Sequence, residues 1–541
     1  MKISRFFALT IAFMVIANAG YAQKPPEEVW NEAYNSGDDA EGVAVDDAGN
    51  VYVAGYSYNG TDNDFTIIKY DPDGNFIWDN GYDSGHGDRA NGVAVDDAGN
   101  VYVAGSSNNG TDNDFRIIKY GPDGNIIWNE IYNSGSHDDA EGVAVDDAGF
   151  VYVAGTSYNG TDDDFCIIKY GPDGNIIWNE IYYSDSHDDV SGVAVDNAGF
   201  VYVAGYSDKG TDYDFWTIKY DPDGNIIWDR IYDSGSHDEA EGVAVDNAGN
   251  VYVAGYSDKG TDSDFTIIKY DPDGNIIWDK VYDSGNDDLA SGIAVDNADN
   301  VYIAGHSDKG TDSDFRAIKY DIDGNIVWDK VYDSGDLDVA EGLAVDNAGF
   351  VYVAGSSLSG TDWYFRTIKY RQFFTVSGRI TEGGNGIADV DVVISSGVSD
   401  TVKTAPDGSY EFPDLPCGEY YTITPYKTDY TFSPPDYTYS PLNSDKPDQN
   451  FVGSLGIAEE NVKDIDVIEE VNRIVVKYSL DKNSRVDISL FNVLGSVVNK
   501  VSGYETEGEH SYTFDVPFSG VYFVKINMGS RIEIRKVVIM H

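Results

Sequence analysis

The amino-acid sequence predicts an all-β protein, a seven-bladed β-propeller followed by two small β-sandwich domains. The first observation is a tandem repeat with a period of 50 residues, each copy opening with Gly-Val-Ala-Val-Asp or a close variant. The second is that apolar residues alternate in short runs within each copy, without helical spacing. The third is that the last copy lacks a segment which the N-terminal region supplies. The copies begin at Gly42, Gly92, Gly142, Gly192, Gly242, Gly292 and Gly342.

Each repeat is predicted to form four antiparallel strands, which is the composition of a propeller blade. Turns rich in Gly, Asn and Pro separate the runs, because these residues accept or pre-set the φ angles that tight turns need. A tryptophan that closes the fourth strand, first seen at Trp78, is predicted to pack between neighbouring blades. In the first repeat the predicted strands are Gly42–Asp46, Val51–Ser57, Phe65–Tyr70 and Asn75–Asp79.

The number of blades is predicted from the two ends of the repeat array. The seventh copy continues through Tyr370 but has no fourth strand. Residues 28–37 match the fourth-strand segment 127–135, and no first three strands precede them. An N-terminal strand that completes the seventh blade would close the ring and remove exposed sheet edges, which otherwise promote aggregation. We therefore expect a closed ring over residues 24–372.

The repeats also resemble a known family. The segments Gly-Val-Ala-Val-Asp, Val-Tyr-Val-Ala-Gly and Ile-Lys-Tyr are similar to the bacterial β-propeller repeat often labelled SBBP. This resemblance implies a propeller and no particular activity.

The N-terminus and the charge balance indicate an exported protein. Lys2 and Arg5 precede an apolar run and a small-residue cleavage site, so residues 1–22 are predicted to be a signal peptide. No later stretch is a transmembrane candidate. The 541 residues include 94 acidic and 35 basic side chains, a net charge of −59, which excludes nucleic-acid partners and favours cations and basic partners. Cys166 and Cys417 provide no disulfide framework.

Residues 373–454 are predicted to form a β-sandwich from short alternating strands. Its motifs include Thr375-Val376-Ser377-Gly378-Arg379-Ile380 and Pro406-Asp407-Gly408. Their order resembles the carboxypeptidase regulatory-like domain. This resemblance implies a transthyretin-like spacer or binding module without catalytic residues. A short acidic linker, residues 455–463, follows.

Residues 464–541 are predicted to form a second β-sandwich. They contain Phe491-Asn492-Val493-Leu494-Gly495, Ser519-Gly520-Val521-Tyr522 and a terminal strand with a lysine. These motifs resemble the C-terminal sorting domain of the type IX secretion system. The resemblance implies that the type IX machinery is a partner and that the protein is secreted or displayed on the outer surface of a Gram-negative bacterium. In that family the domain is usually removed, and some substrates are anchored to lipopolysaccharide.

Aspartates dominate two sets of loops that are predicted to share one face of the propeller. Crowded carboxylates repel one another unless cations or solvent screen them, so this face is a candidate ligand and calcium site. The alternative is a set of Asx turns on a solvated face. The candidate residues are Asp62, Asp112, Asp162, Asp212, Asp262, Asp312 and Asp362 in the loop after the second strand, and Asp88, Asp138 and Asp188 in the loop between blades.

Two further polar motifs have weaker functional interpretations. His137, His187 and His237 are equivalent in three successive repeats and suit a transition metal, but exposed loop histidines are the plainer interpretation. The Asp-Pro-Asp-Gly-Asn segment, residues 71–75, has oxygen ligands for calcium, but it lacks the spacing of an EF-hand loop. A tight hairpin turn explains it more simply.

The sequence predicts a binding protein rather than an enzyme. No nucleophile with a base partner, acid/base carboxylate pair or phosphate loop stands out. Nearly equivalent blades present similar surfaces about seven times, which suits multivalent binding better than an asymmetric active site. We therefore predict a non-enzymatic, monomeric propeller that binds an extracellular protein or glycan and requires no cofactor, with calcium as an option. The alternatives are a polysaccharide lyase or hydrolase with its site in the funnel, and a structural component of the cell envelope.

Overall fold

The structure is a computed structural model. It describes residues 23–34, 38–182, 186–208, 210, 212–258, 260, 262–308, 312–395, 399–455, 462–470, 472–480, 483–516, 518–528 and 531–539. The predicted signal peptide lies outside these residues. In these residues all of the regular secondary structure is β-strand, which confirms the predicted all-β class. Accordingly, this part of the chain contains no helix long and apolar enough to cross a membrane.

Backbone contacts divide the chain into two units, residues 1–373 and 374–541. In the first unit the strands are β1 (Glu27–Tyr34), β2 (Asp38–Val45), β3 (Val51–Tyr58), β4 (Asn63–Tyr70), β5 (Phe76–Tyr82), β6 (Asp88–Val95), β7 (Val101–Asn108), β8 (Asn113–Tyr120), β9 (Ile126–Tyr132), β10 (Asp138–Val145), β11 (Val151–Tyr158), β12 (Asp163–Tyr170), β13 (Ile176–Tyr182) and β14 (Asp188–Val195). They continue as β15 (Val201–Asp208), β16 (Tyr213–Tyr220), β17 (Ile226–Tyr232), β18 (Asp238–Val245), β19 (Val251–Asp258), β20 (Ser263–Tyr270), β21 (Ile276–Tyr282), β22 (Asp288–Val295), β23 (Val301–Asp308), β24 (Ser313–Tyr320), β25 (Ile326–Tyr332), β26 (Asp338–Val345), β27 (Phe350–Ser359) and β28 (Asp362–Arg371).

These strands form seven antiparallel four-stranded sheets in the described residues, which confirms the prediction of four strands per repeat. Sheets 1 to 6 each take four consecutive strands, from β2–β5 to β22–β25. Sheet 7 consists of β26, β27, β28 and the N-terminal strand β1. β1 pairs with β28 in a register that places Tyr34 opposite Phe365 and Glu27 opposite Arg371.

The first strand of each repeat contains a β-bulge. In β2 the register against β3 shifts between Ala40 and Gly42, which leaves Glu41 as the extra residue. The same shift occurs in the other first strands, and we call these seven strands the inner strands: β2, β6, β10, β14, β18, β22 and β26. Opposite the bulge lies Gly55, where a Cβ atom would be 2.0 Å from the Asp39 carbonyl oxygen. Glycine is therefore required there.

Adjacent sheets pack through apolar cores and along their inner strands. Tyr52 of sheet 1 packs with Val101 of sheet 2, and the predicted interface tryptophan, Trp78, packs against this cluster. The inner strands approach each other at glycines. A Cβ atom on Gly142 would lie 3.0 Å from the Val193 nitrogen. A Cβ atom on Gly342, in sheet 7, would lie 2.9 Å from the nitrogen of Val43 in sheet 1.

The described residues of the second unit form four sheets. Its strands are β29 (Phe373–Glu382), β30 (Asn385–Gly386), β31 (Asp391–Ser395), β32 (Ser399–Lys403), β33 (Ser409–Pro416), β34 (Tyr421–Tyr426), β35 (Tyr430–Ser433), β36 (Tyr437–Tyr439), β37 (Phe451–Leu455), β38 (Val462–Glu470), β39 (Arg473–Leu480), β40 (Ser484–Asn492), β41 (Val497–Glu505), β42 (Gly508–Asp515), β43 (Gly520–Met528) and β44 (Arg531–Ile539). The first two sheets have the orders β30-β29-β37-β35, with β33 on β29, and β32-β31-β34-β36. The last two are β38-β39-β42 and β41-β40-β43-β44. Ile474 and Val476 of the former share a core with Ile488 and Val524 of the latter.

Candidate functional site

The first set of predicted aspartates lies in turns. Asp62 follows the Asn-Gly-Thr segment after β3, and its Oδ1 accepts a hydrogen bond from Asn59 Nδ2 at 2.8 Å. The Oδ1 of Asn59 in turn accepts from the Thr61 nitrogen at 2.8 Å. Asp112 and Asp162 make the same Asx-type arrangement in their own repeats. All but the exposed Asp362 are half-buried. In these three repeats the turn is stabilised within its own repeat, so these contacts do not require a shared ligand.

The second set lies elsewhere. Asp88, Asp138 and Asp188 are the first residues of inner strands and are fully buried. Asp138 Oδ2 accepts from the Ser134 nitrogen at 2.7 Å, and its Oδ1 accepts from Ser157 Oγ at 2.5 Å. These carboxylates therefore occupy the joints between sheets. The sequence placed both sets on one carboxylate-lined face, whereas the structure buries this second set.

The three histidines each contact a carboxylate. His137 Nε2 lies 2.7 Å from an oxygen of Asp139, and His187 Nδ1 lies 3.0 Å from Asp163. In the third repeat, His237 Nε2 lies 2.6 Å from Glu239 Oε1. These contacts orient the rings toward acidic neighbours, which is an arrangement for hydrogen bonding rather than a common three-histidine ligand set.

A group of glutamates that the sequence analysis missed lies on the inner strands. Glu41, Glu141, Glu241 and Glu341 occupy the bulged positions of β2, β10, β18 and β26. Burial raises the pKa of Glu41 to about 7 and the pKa values of Glu241 and Glu341 to about 8. Burial also raises the pKa of Glu141 well above its usual range. The carboxyl groups of Glu41, Glu241 and Glu341 therefore take up protons near neutral pH.

The four glutamates act on one another across sheets. The charges of Glu41 and Glu241 add to the effect of burial on Glu141, although these residues come from three different sheets. Glu41 likewise adds to the effect of burial on Glu341 of sheet 7. Asn91 connects sheet 2 to sheet 3, since its Nδ2 donates to Glu141 Oε2 at 2.9 Å. The inner strands thus bring carboxyl groups from distant repeats close enough to affect one another's pKa.

A second tier of acids lies two residues before the bulge in four of the seven repeats. Tyr56 OH donates to Asp39 at 2.7 Å, and Tyr206 OH donates to Asp189 at 2.9 Å. Tyr256 OH donates to Glu239, which also contacts His237. We call the two tiers together the inner acidic surface: Glu41, Glu141, Glu241, Glu341, Asp39, Asp139, Asp189 and Glu239.

The inner acidic surface differs from repeat to repeat, whereas the core beside it does not. Tyr52 and Gly55 are the same in all seven repeats. The position of Asp39 instead holds Asp, Arg, Asp, Asp, Glu, Leu and Val in order, and that of Glu41 holds Glu, Asn, Glu, Ser, Glu, Ser and Glu. The position of Tyr56 holds Tyr, Ser, Thr, Tyr, Tyr, His and Ser. A column-by-column comparison of the repeats would have found this signal.

Three family models match parts of the chain. Beta-propeller repeat matches residues 32–61, 83–112, 182–213, 231–260 and 333–360. A beta-propeller domain of unknown function, DUF5122, matches residues 49–76 and 99–126. Secretion system C-terminal sorting domain matches residues 471–540. The last match indicates export by the type IX system to the cell surface or the extracellular space. The resemblances of the repeats and of the C-terminal region are thereby confirmed, and the carboxypeptidase regulatory-like resemblance stays a prediction.

No curated protein matches the chain significantly. Among solved structures, the WD40 domain of Neurospora crassa Pan2 is 11% identical with a TM-score of 0.43, over 63% of this chain and 95% of that chain. A PL25 ulvan lyase bound to -[GlcA(1-4)Rha3S]- is 13% identical with a TM-score of 0.40, over 63% and 96%. Sqt1 from Chaetomium thermophilum is 11% identical with a TM-score of 0.38, over 83% and 96%. Similarities at this level carry no argument about function.

Proposed function

We propose that this protein is an exported, non-enzymatic binding module whose inner acidic surface holds the cationic groups of an extracellular ligand. The observation that carries the proposal is the set of four glutamates from different sheets whose pKa values are raised by burial and by neighbouring carboxylates. A ligand with lysine or arginine side chains would let these carboxyl groups ionise, because a nearby positive charge favours the carboxylate. The ligand class is therefore a basic protein segment.

The proposed scaffold is a closed ring of seven blades. Two contacts support closure: β1 completes sheet 7 beside β28, and Gly342 approaches Val43 as closely as other inner-strand glycines approach their neighbours. In a closed ring the inner strands surround one central funnel, which accounts for the mutual influence of Glu41, Glu141 and Glu241. A monomeric ring then presents a single acidic funnel.

The proposed role of the rest of the chain is delivery. Residues 464–541 would direct the protein to the type IX machinery, and residues 373–454 would act as a spacer of the carboxypeptidase regulatory-like type, joined by the linker 455–463. The sorting-domain match over residues 471–540 supports the first of these roles. The alternating strands of residues 373–455 support the second.

The experiment is a calorimetric titration of the full-length chain with an oligolysine peptide at pH 7.5 and physiological salt. The expected result is saturable binding with release of protons into the buffer, detected as a dependence of the heat on the buffer's ionisation enthalpy. Replacing Glu41, Glu141, Glu241 and Glu341 by Gln should weaken binding at least tenfold and remove the proton release.

The matched control removes four carboxylates from exposed turns of the same unit. The variant Asp73→Asn, Asp223→Asn, Asp273→Asn and Asp323→Asn removes the same number of carboxyl groups. Equal weakening by both variants would mean diffuse attraction to a chain of net charge −59, and the proposed funnel site would be abandoned.

A second candidate function is an enzyme that cleaves extracellular polysaccharide. The observation that favours it is the grouping of His237, Glu239 and Tyr256, three acid/base side chains in hydrogen-bonding contact. Turnover on a panel of acidic and neutral glycans that disappears in Glu239→Gln would favour this alternative. Peptide binding without glycan turnover would favour the binding module.

A further inference from the structure

Three aspartates from two adjacent sheets meet at some of the joints between sheets. At the joint of sheets 1 and 2 these are Asp64 of β4, Asp83 of the loop after β5 and Asp88 of β6, which we call the Asp88 triad. One carboxylate oxygen of each residue lies within 4.8 Å of those of the other two. The Asp238 triad and the Asp288 triad have the same arrangement, and consist of Asp214, Asp233 and Asp238, and of Asp264, Asp283 and Asp288.

Two of these triads contain a buried carboxylate oxygen without a hydrogen-bond donor. Asp88 and Asp238 are fully buried. Their Oδ2 atoms accept from the Ser84 and Ser234 nitrogens, each at 2.7 Å. Their Oδ1 atoms have no hydrogen-bond partner, and neither does the buried hydroxyl of Ser257, which is paired opposite Asp238. A buried carboxylate oxygen without a hydrogen-bond donor is destabilising, so a native structure needs a partner for it.

A guanidinium group lies beside the Asp88 triad, but it does not bond the unpaired oxygen of Asp88. Arg116 Nη2 donates to Ser107 Oγ at 3.4 Å, and Ser107 is paired opposite Asp88. Asn59 Nδ2 donates to the two oxygens of Asp64 at 3.1 and 2.9 Å. The three carboxylates of the triad still lie within 4.8 Å of one another. A bound cation would satisfy the unpaired oxygen and relieve the mutual repulsion.

At other joints, groups of the protein itself donate to the buried aspartate, so that no cation is needed. In the Asp288 triad, the Ser307 hydroxyl donates to Asp288 Oδ1, and the Ser284 nitrogen donates to Oδ2 at 2.7 Å. At the joint of sheets 2 and 3 the middle residue is Asn133, and Asp138 accepts from Ser157 Oγ at 2.5 Å. Both oxygens of the buried aspartate are satisfied within the protein at these two joints.

We propose that the Asp88 triad and the Asp238 triad each bind one calcium ion. Calcium takes six to eight oxygen ligands from carboxylates, hydroxyls, carbonyls and water, and it tolerates irregular geometry better than magnesium does. Each triad supplies three carboxylates, and Ser257 adds a hydroxyl beside Asp238. Each ion would link the third strand of one sheet, and the loop that follows its fourth strand, to the inner strand of the next sheet.

The first experiment measures calcium bound per full-length chain by equilibrium dialysis in 150 mM salt, which screens diffuse binding to the acidic surface. The expected result is that the parent binds two more calcium ions per chain than the variant Asp83→Asn, Asp233→Asn does. The variant Asp83→Asn, Asp233→Asn should lose both. Asparagine is already present at the equivalent position 133, where its Oδ1 accepts from the Gly135 nitrogen at 2.6 Å, so the loop can form in the variant.

The matched control is Asp73→Asn, Asp223→Asn, which removes two exposed turn carboxylates from the same repeats. It should bind as many ions as the parent. Unchanged stoichiometry in Asp83→Asn, Asp233→Asn would overturn the proposal. Loss of the ions on substitution of Asp62 and Asp212 but not of Asp83 and Asp233 would also overturn it.

A second readout is thermal unfolding. Calcium should raise the midpoint of the parent and of the control variant, and this rise should be absent from the variant Asp83→Asn, Asp233→Asn. No rise in the parent at millimolar calcium would also overturn it.

Discussion

At the scale of single residues, the β-bulge of the inner strand decides which amino acids the repeat tolerates. The bulge brings the carbonyl of Asp139, three positions before Gly142, toward the next strand. Opposite it stands Gly155, where a Cβ atom would lie 2.1 Å from the Asp139 carbonyl oxygen and 2.6 Å from Ala140 Cα. Backbone atoms cannot move aside as a flexible side chain can, so the glycine of Val-Tyr-Val-Ala-Gly is a steric requirement.

We predict that Gly155→Ala lowers the free energy of unfolding by about 3 kcal/mol, at the upper end of the cost of overpacking. Chemical denaturation of the full-length chain measures it. The control is Gly87→Ala, because a Cβ atom on Gly87 would have no neighbour within 4 Å. That change should stay within about 0.5 kcal/mol of the parent. Equal stability of both variants would contradict the proposed geometry of the bulge.

At the scale of elements, each sheet is connected to the next by side-chain hydrogen bonds to one turn carbonyl. Lys169 Nζ and Trp178 Nε1 of sheet 3 both donate to the Pro222 carbonyl of sheet 4, each at 3.1 Å. Sheet 7 has no such turn, since the chain continues from β28 into β29. There Lys319 Nζ and Trp328 Nε1 donate to the side-chain oxygen of Gln372 at 3.0 and 3.2 Å. A glutamine side chain thus replaces the missing backbone carbonyl.

We predict that Gln372→Leu destabilises the first unit by about 3 kcal/mol, because it removes a hydrogen-bond acceptor of the buried Lys319 ammonium group. Gln372→Glu keeps an acceptor for Lys319 and Trp328. It loses only the amide donor, which in the parent donates to the Gly349 carbonyl oxygen at 2.7 Å. Its loss of stability should be smaller. Thermal unfolding of the two variants at pH 7 measures the difference. A leucine variant as stable as the glutamate variant would contradict the conclusion that the Gln372 side-chain oxygen takes the place of a turn carbonyl.

At the scale of the whole molecule, the inner acidic surface makes stability depend on pH. Glu241 and Glu341 have pKa values of about 8 in the folded protein against an ordinary value of 4.5, chiefly because they are buried. The folded state therefore holds protons that the unfolded chain releases. Between about pH 4.5 and 8 this contribution to stability falls as the pH rises, and it is constant outside that window.

We predict that Glu241→Gln, Glu341→Gln is more stable than the parent at pH 8.5 and nearly equal to it at pH 5, since glutamine mimics the protonated acid. Denaturant midpoints at the two pH values measure the difference. Asp273→Asn, Asp323→Asn, with both carboxylates in exposed turns, should follow the parent at both values. A constant offset between parent and glutamine variant across this range would show that the glutamates do not change protonation there.

Local pattern was sufficient to predict most of the fold. The alternation of apolar residues and the turn residues placed four strands in each repeat, because strand and turn preferences act over a few neighbouring residues. In the first repeat the prediction Val51–Ser57 compares with the observed Val51–Tyr58. The repeat period also identified the segment around Trp30 as a displaced fourth strand, and it does pair with β28.

The candidate sites depended on contacts that local pattern does not contain. Asp88 and Asp62 look alike in the sequence as repeated loop aspartates, yet one is fully buried at a joint between sheets and the other caps an exposed turn. Glu41 and Glu241 are separated by 200 residues in the chain and influence the same carboxyl group, Glu141. Burial and Coulomb interaction depend on distance in space, and only the packing of one sheet on the next determines that distance.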